Sequence, residues 1–198
     1  MNILKCYNTY GDEILKEKLS AVISLFTCVY TVWYMHFGTA YKNSGALSKI
    51  GLEHRILFAI WGISTFISLA LAITLAYKKL TDNHFYIPML IISGAGMALT
   101  LINRFDFNIK TEYFLHCIGS LTFSIVTGIT IFLLYFLSRK QNKINLIFCI
   151  ITAIILSADA VCLLIFKETG LIEVIPIFAG CIMLATTNLR RDKIEIKR

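Results

Sequence analysis

The sequence predicts an all-α polytopic membrane protein, six transmembrane helices in one compact bundle with both termini cytoplasmic. Three observations carry that expectation. Hydrophobic residues make up 57% of the 198 and charged residues only 16%, with a mean hydropathy of +0.73; a soluble domain is typically about 45–50% apolar and 25% charged. The apolar residues gather in six runs. Lys and Arg are divided unequally between the segments that separate the runs.

The runs lie at about 19–40, 56–77, 86–103, 114–137, 144–166 and 171–189. Most approach the roughly 20 residues that cross about 30 Å of hydrocarbon at 1.5 Å per residue. The first is longer than a cleavable signal core and follows 18 mostly polar residues, so it reads as a retained span. The third and sixth carry Pro88 and Pro176 near their starts, where a missing N–H costs a helix nothing. The intervening segments are short, so residues 1–198 read as one domain with antiparallel neighbours.

Orientation follows from the cations. Lys5, Lys16 and Lys18 precede the first run; Lys78 and Lys79 follow the second; Arg139, Lys140 and Lys143 follow the fourth; Arg190, Arg191, Lys193, Lys197 and Arg198 form the tail. The other six of the 19 Lys and Arg residues, Lys42, Lys49, Arg55, Arg104, Lys110 and Lys167, fall in the alternate loops. The positive-inside bias puts both termini in the cytoplasm of a multi-pass cell-membrane protein. The formal charge of +7 does not imply nucleic acid, because the cations lie between and beyond the apolar runs rather than along one face.

The polar residues that intrude on the spans then share the outer half. Glu53, His54 and Arg55 begin the second run; Arg104 and Asp106 end the third; Glu112 and His116 begin the fourth; Glu173 begins the sixth. Asp159, in "IILSADAVCLLIF", lies seven residues before the end of the fifth, roughly 10 Å below it. A charge there costs about 2.5–3.5 kcal/mol on insertion scales and calls for a partner or a water-filled cavity. Two states are open to it: protonated, or paired with Arg104 or a histidine.

Spacing sorts the remaining polar residues into faces. His116, Ser120, Ser124 and Thr127 share one helical face, as do Ser20, Ser24, Thr27, Thr31 and Tyr34 in the first run. Such stripes are expected to hydrogen-bond between helices. "SGAGM" at 93–97 allows close helix packing; it is not a phosphate-binding loop, since no strand precedes it and the spacing is not GxGxxG. The histidines carry neither HExxH nor CxxCH spacing and are expected to bond locally, with no metal or other cofactor. The six cysteines include no CxxC pair and read as packing residues. Trp33, Tyr34, Tyr41 and Tyr113 fit an outer aromatic belt, and Tyr77, Phe85, Tyr86 and Tyr135 an inner one.

The stretch "YKNSGALSKIGLEHRILFAIWGISTF", followed by "IPMLIISGAGMALTLINRFDF" and "EYFLHCIGSLTF", resembles the six-helix bacterial membrane proteins related to the Frag/DRAM/Sfk group. Residues 41–137 carry the likeness, with Ser44, Gly45 and His116 matching the pattern. The resemblance implies six helices and a link to membrane-lipid organisation and lipid-anchor remodelling.

The function these features predict is non-enzymatic binding of a membrane lipid or other amphiphile in an outward-facing polar pocket formed by His54, Arg104, His116, Ser120, Asp159 and Glu173. The alternative is an intramembrane lipid hydrolase or transferase, possible metal assistance included, with His54 or His116 as general base and Asp159 or Glu173 as orienting or acid group. A transporter or channel ranks third, because the inner half offers only Ser and Thr stripes. Membrane lipids are the expected partners, and self-association into a homo-oligomer stays open.

Overall fold

The computed structural model describes residues 3–39, 42, 45–167 and 169–190, with side chains from residue 12 onward. Tyr41, Ser44 and the tail cations Arg191, Lys193, Lys197 and Arg198 lie outside the described residues, as do the side chains of Lys5 and Cys6. The described residues form seven helices and no strand: α1 (Ile3–Met35), α2 (Leu47–Glu53), α3 (Arg55–Leu80), α4 (Tyr86–Ile102), α5 (Lys110–Ser138), α6 (Lys143–Phe166) and α7 (Gly170–Leu189). Five are long and apolar enough to cross a membrane: Asp12–Met35 of α1, and α3, α5, α6 and α7. The apolar α4 has 17 residues, at the short end of the range for a span.

Local chemistry sets the boundaries. Asn142 caps α6 by accepting from the Ile144 N–H at 2.9 Å, and Thr169 caps α7 by accepting from Ile172. Arg55 donates to the carbonyls of Leu101 and Ile102 at 2.9 and 2.6 Å, satisfying the last turn of α4. Non-helical His54 (φ −119°, ψ 57°) divides α2 from α3. Sequence spacing did not anticipate α2, which is only seven residues long.

Consecutive long helices are antiparallel. The stripe on α1 is buried, and its hydroxyls meet α3 in descending order: Trp61 Nε1 donates to Thr31 Oγ1 at 3.1 Å, Thr27 Oγ1 donates to the Ser64 carbonyl at 3.4 Å, and Ser68 Oγ donates to Ser24 Oγ at 3.0 Å. These are the interhelical bonds expected of such a stripe. Between α4 and α5, Ser93 and Thr127 hydroxyls lie 2.6 Å apart. Gly96 and Gly119 bring the two backbones together, and an added Cβ on Gly119 would stand 2.7 Å from Gly96 O and from Thr100 N. α3 and α7 run parallel through the middle, joined where Asn188 Nδ2 donates to the Ala72 carbonyl at 3.1 Å.

Two expectations need correction. Tyr34, Tyr77, Tyr86 and Tyr135 are buried rather than interfacial. The hydroxyl of Tyr34 donates to the Leu47 carbonyl and that of Tyr77 to the Thr130 carbonyl, while Tyr135 pairs with the Thr187 hydroxyl. A Tyr with a hydroxyl partner inside the bundle buries its ring more completely than at an interface. Pro176 stands in the second turn of α7, not its first, so it removes the N–H that would otherwise bond the Ile172 carbonyl one turn back.

Candidate functional site

The polar face of α5 divides by depth. At the end shared with α2, His116 is buried between aromatic rings, 5.9 Å from the centroid of Phe58 and 5.2 Å from that of Phe105. Its Nδ1 lies 3.1 Å from the carbonyl of Asn103 at the end of α4, a bond between helices rather than the local one expected, and its Nε2 is buried without a partner among the described residues. Thr127, eleven residues on, is committed to Ser93. Between them Ser120 and Ser124 line a cavity.

That cavity lies between α5, α6 and α7 and has a volume of about 190 Å³. Ser120, Ser124 and Thr127 come from α5, Asp159 from α6, and Glu173 from the first turn of α7; Leu69, Phe123, Ile131, Leu156, Leu163 and Ile177 supply much of the apolar wall. Leu121 and Ile125 on α5 and Ala160 on α6 also line it and are exposed, so its mouth lies between those two helices. A second void of about 30 Å³ lies deeper, lined by Ser48, Trp61, Met97 and Thr100 and sharing Ser120, Ser124 and Glu173 with the first. It can hold a single water, and its wall supplies the polar partners a water needs.

The two carboxylates are held differently. Glu173 accepts from the Leu47 backbone N–H and from Ser48 Oγ, the latter at 3.1 Å, and so ties the start of α2 to the start of α7. Asp159 is half-buried and has no hydrogen bond or ion pair to any described residue. Ser120 and Ser124 hydroxyls likewise have no partner among the described residues. In a hydrocarbon setting an unsatisfied polar group costs several kcal/mol, and this cavity brings three polar groups without a described partner to one place.

No family model, curated protein or solved structure matches this chain. The site therefore rests on its own geometry.

Of the residues expected to converge, Ser120, Asp159 and Glu173 share the cavity. His54, Arg104 and His116 do not line it. His54 packs on Phe37, ring centroids 4.6 Å apart. Arg104 is exposed, and its backbone N–H donates to the Glu112 carboxylate at 3.2 Å. The pairing of Asp159 with Arg104 or a histidine is absent, because those groups sit among the aromatic side chains and loop of the α2 end while Asp159 faces the gap between α5 and α6. Among the described residues no three His, Cys, Asp or Glu side chains are grouped to hold a metal. Sequence reasoning missed Ser48 and the Leu47 N–H as partners of Glu173. The only signal was the short buried pattern of Leu47, Ser48, Ile50 and Gly51 in α2, too brief for helical periodicity to stand out.

Proposed function

We propose that this protein binds a lipid or other amphiphile, non-enzymatically, in the cavity between α5, α6 and α7. The observation that carries the proposal is the set of unpartnered polar groups, Asp159, Ser120 and Ser124, lining a cavity with a mouth between two long apolar helices. The volume of about 190 Å³ is below the roughly 300–1,000 Å³ of sites that enclose a drug-sized ligand. It suits a head group, with the attached chain leaving sideways into the bilayer.

The proposal includes the arrangement in the membrane. All six helices other than α2 cross, α4 among them, and the division of Lys and Arg puts both termini in the cytoplasm and the α2 end outside. The site then opens in the outer leaflet of the cell membrane. The likeness of residues 41–137 to the Frag/DRAM/Sfk group, with its link to membrane lipids, agrees with this reading. A hydrolase or transferase would need a general base beside Asp159 or Glu173, and neither His54 nor His116 lines the cavity, so binding is favoured over catalysis.

Native mass spectrometry of the protein in a gentle neutral detergent tests the reading. Wild type should carry a stoichiometric amphiphile, and Ala160→Trp, which fills the mouth, should lose it. An empty wild type, or equal retention by both proteins, would defeat the proposal.

A further inference from the structure

Among the described residues, the ionisable groups that line the cavity between α5, α6 and α7 are Asp159 and Glu173, and no Lys, Arg or His lines it. Glu173 already accepts from Leu47 N–H and Ser48. Asp159, Ser120 and Ser124 have no partner among the described residues. A phosphate or sulfate head group would bring more negative charge beside Asp159, which no described residue pairs with a cation, in a medium where like charges repel strongly.

We propose that the site selects a cationic amphiphile, an alkylammonium whose head group enters the cavity and whose tail leaves between α5 and α6. A primary ammonium has three N–H donors and no acceptor. The unpartnered groups offer a carboxylate and two hydroxyl oxygens, a matching number of acceptors. The ion pair gives Asp159 a counter-charge that no described residue supplies, and charge-assisted bonds are the strong ones at low dielectric. This inference rests on the binding reading above and adds the sign of the head group.

The test uses the purified full chain in neutral-lipid nanodiscs and three probes with the same alkyl chain: dodecylamine, dodecanol and dodecyl phosphate. Saturable binding is measured for wild type, Asp159→Asn and Ala160→Trp. Wild type should bind dodecylamine about ten- to a hundredfold more tightly than dodecanol, with dodecyl phosphate weakest. Asp159→Asn should erase that preference, leaving dodecylamine bound no more tightly than dodecanol. Ala160→Trp should abolish saturable binding of all three. If Asp159→Asn does not fold, Ser124→Ala serves instead and should weaken dodecylamine more than dodecanol. If dodecanol or dodecyl phosphate binds wild type as tightly as dodecylamine, and Ala160→Trp removes that binding, the cationic inference is overturned and the binding reading stands. If no probe binds saturably, or Ala160→Trp changes nothing, both are overturned.

Discussion

At the scale of single residues, Glu173 shows how one carboxylate can be both structural and part of a site. It accepts from the first N–H of α2 and from Ser48, and it lines both voids. Glu173→Ala leaves a backbone N–H and a hydroxyl unpaired in a place water reaches poorly, a loss of about 1–3 kcal/mol. Glu173→Gln keeps one acceptor and should cost less. Hydrogen exchange at residues 46–53 reports it: protection should fall sharply in the Ala variant and partly in the Gln variant, and unchanged protection in both would show that α2 docks without this tether. The intrusion of Asp159, and the shared face of Ser120 and Ser124, were legible from spacing alone. The lack of a partner for Asp159 among the described residues was not, because a partner across a bundle depends on helix order, which one chain's periodicity does not encode. The same gap misdirected the reading of Tyr34, Tyr77, Tyr86 and Tyr135. Their positions near the ends of apolar runs suit an interface as well as a core, and only the neighbouring Leu47, Thr130 and Thr187 oxygens decide in favour of the core for the three that bond them.

At the scale of elements, the α4–α5 contact is the closest backbone approach that its glycines create. A Cβ on Gly96 would lie 2.8 Å from Phe123 N and 2.9 Å from Gly119 O, and one on Gly119 would lie 2.7 Å from Gly96 O. Backbone atoms cannot step aside as a side-chain tip can, so either substitution must part the helices. Doing so also stretches the bond between Ser93 and Thr127. Gly96→Ala and Gly119→Ala should each lose about 1–3 kcal/mol, read as a lower melting temperature in detergent. Gly180→Ala is the internal contrast. Its nearest neighbour is the Cδ1 tip of Ile131 at 3.2 Å, and alanine gains up to about 1 kcal/mol in helix propensity over glycine. Its melting temperature should stay close to wild type or rise. A large loss there, or none at Gly96 and Gly119, would contradict the packing described. The "SGAGM" motif announced close packing in the sequence; which partner helix it met was fixed only by the fold. Five of the six expected runs correspond to helices long enough to span, and the ends of all but the first, expected at 19–40 and found at Asp12–Met35, lie within a few residues of those read from hydropathy. The first of these extends well before its apolar part, because helical backbone continues through the polar residues from Ile3.

At the scale of the whole molecule, alternation of helix direction ties the proposed topology to one set of contacts. Glu17 of α1 and the Asn188 carbonyl of α7 both meet Lys79 Nζ, at 3.0 and 2.7 Å, beside the end of α3. Residues near the two chain ends therefore sit together at the end opposite α2, whichever side of a membrane that end faces. The proposal adds that this side is cytoplasmic and that the 17-residue α4 crosses; at 1.5 Å per residue α4 spans roughly 25 Å, a few ångströms short of an average hydrocarbon core. Asp82 and Asn108, both exposed, occupy the loops before and after α4 and so report both points at once. In a parent with Cys6 replaced by Ser, Asn108→Cys should react with a membrane-impermeant maleimide on intact cells, and Asp82→Cys should react only after the membrane is opened. Equal labelling of the two on intact cells would mean that α4 does not cross. The reverse pattern would keep six spans but turn the chain over, moving the mouth between α5 and α6 to the inner leaflet. The distinction matters for the cavity because Asp159 lies toward the α2 end of α6, so the side that labels with Asn108→Cys is the leaflet from which a head group enters.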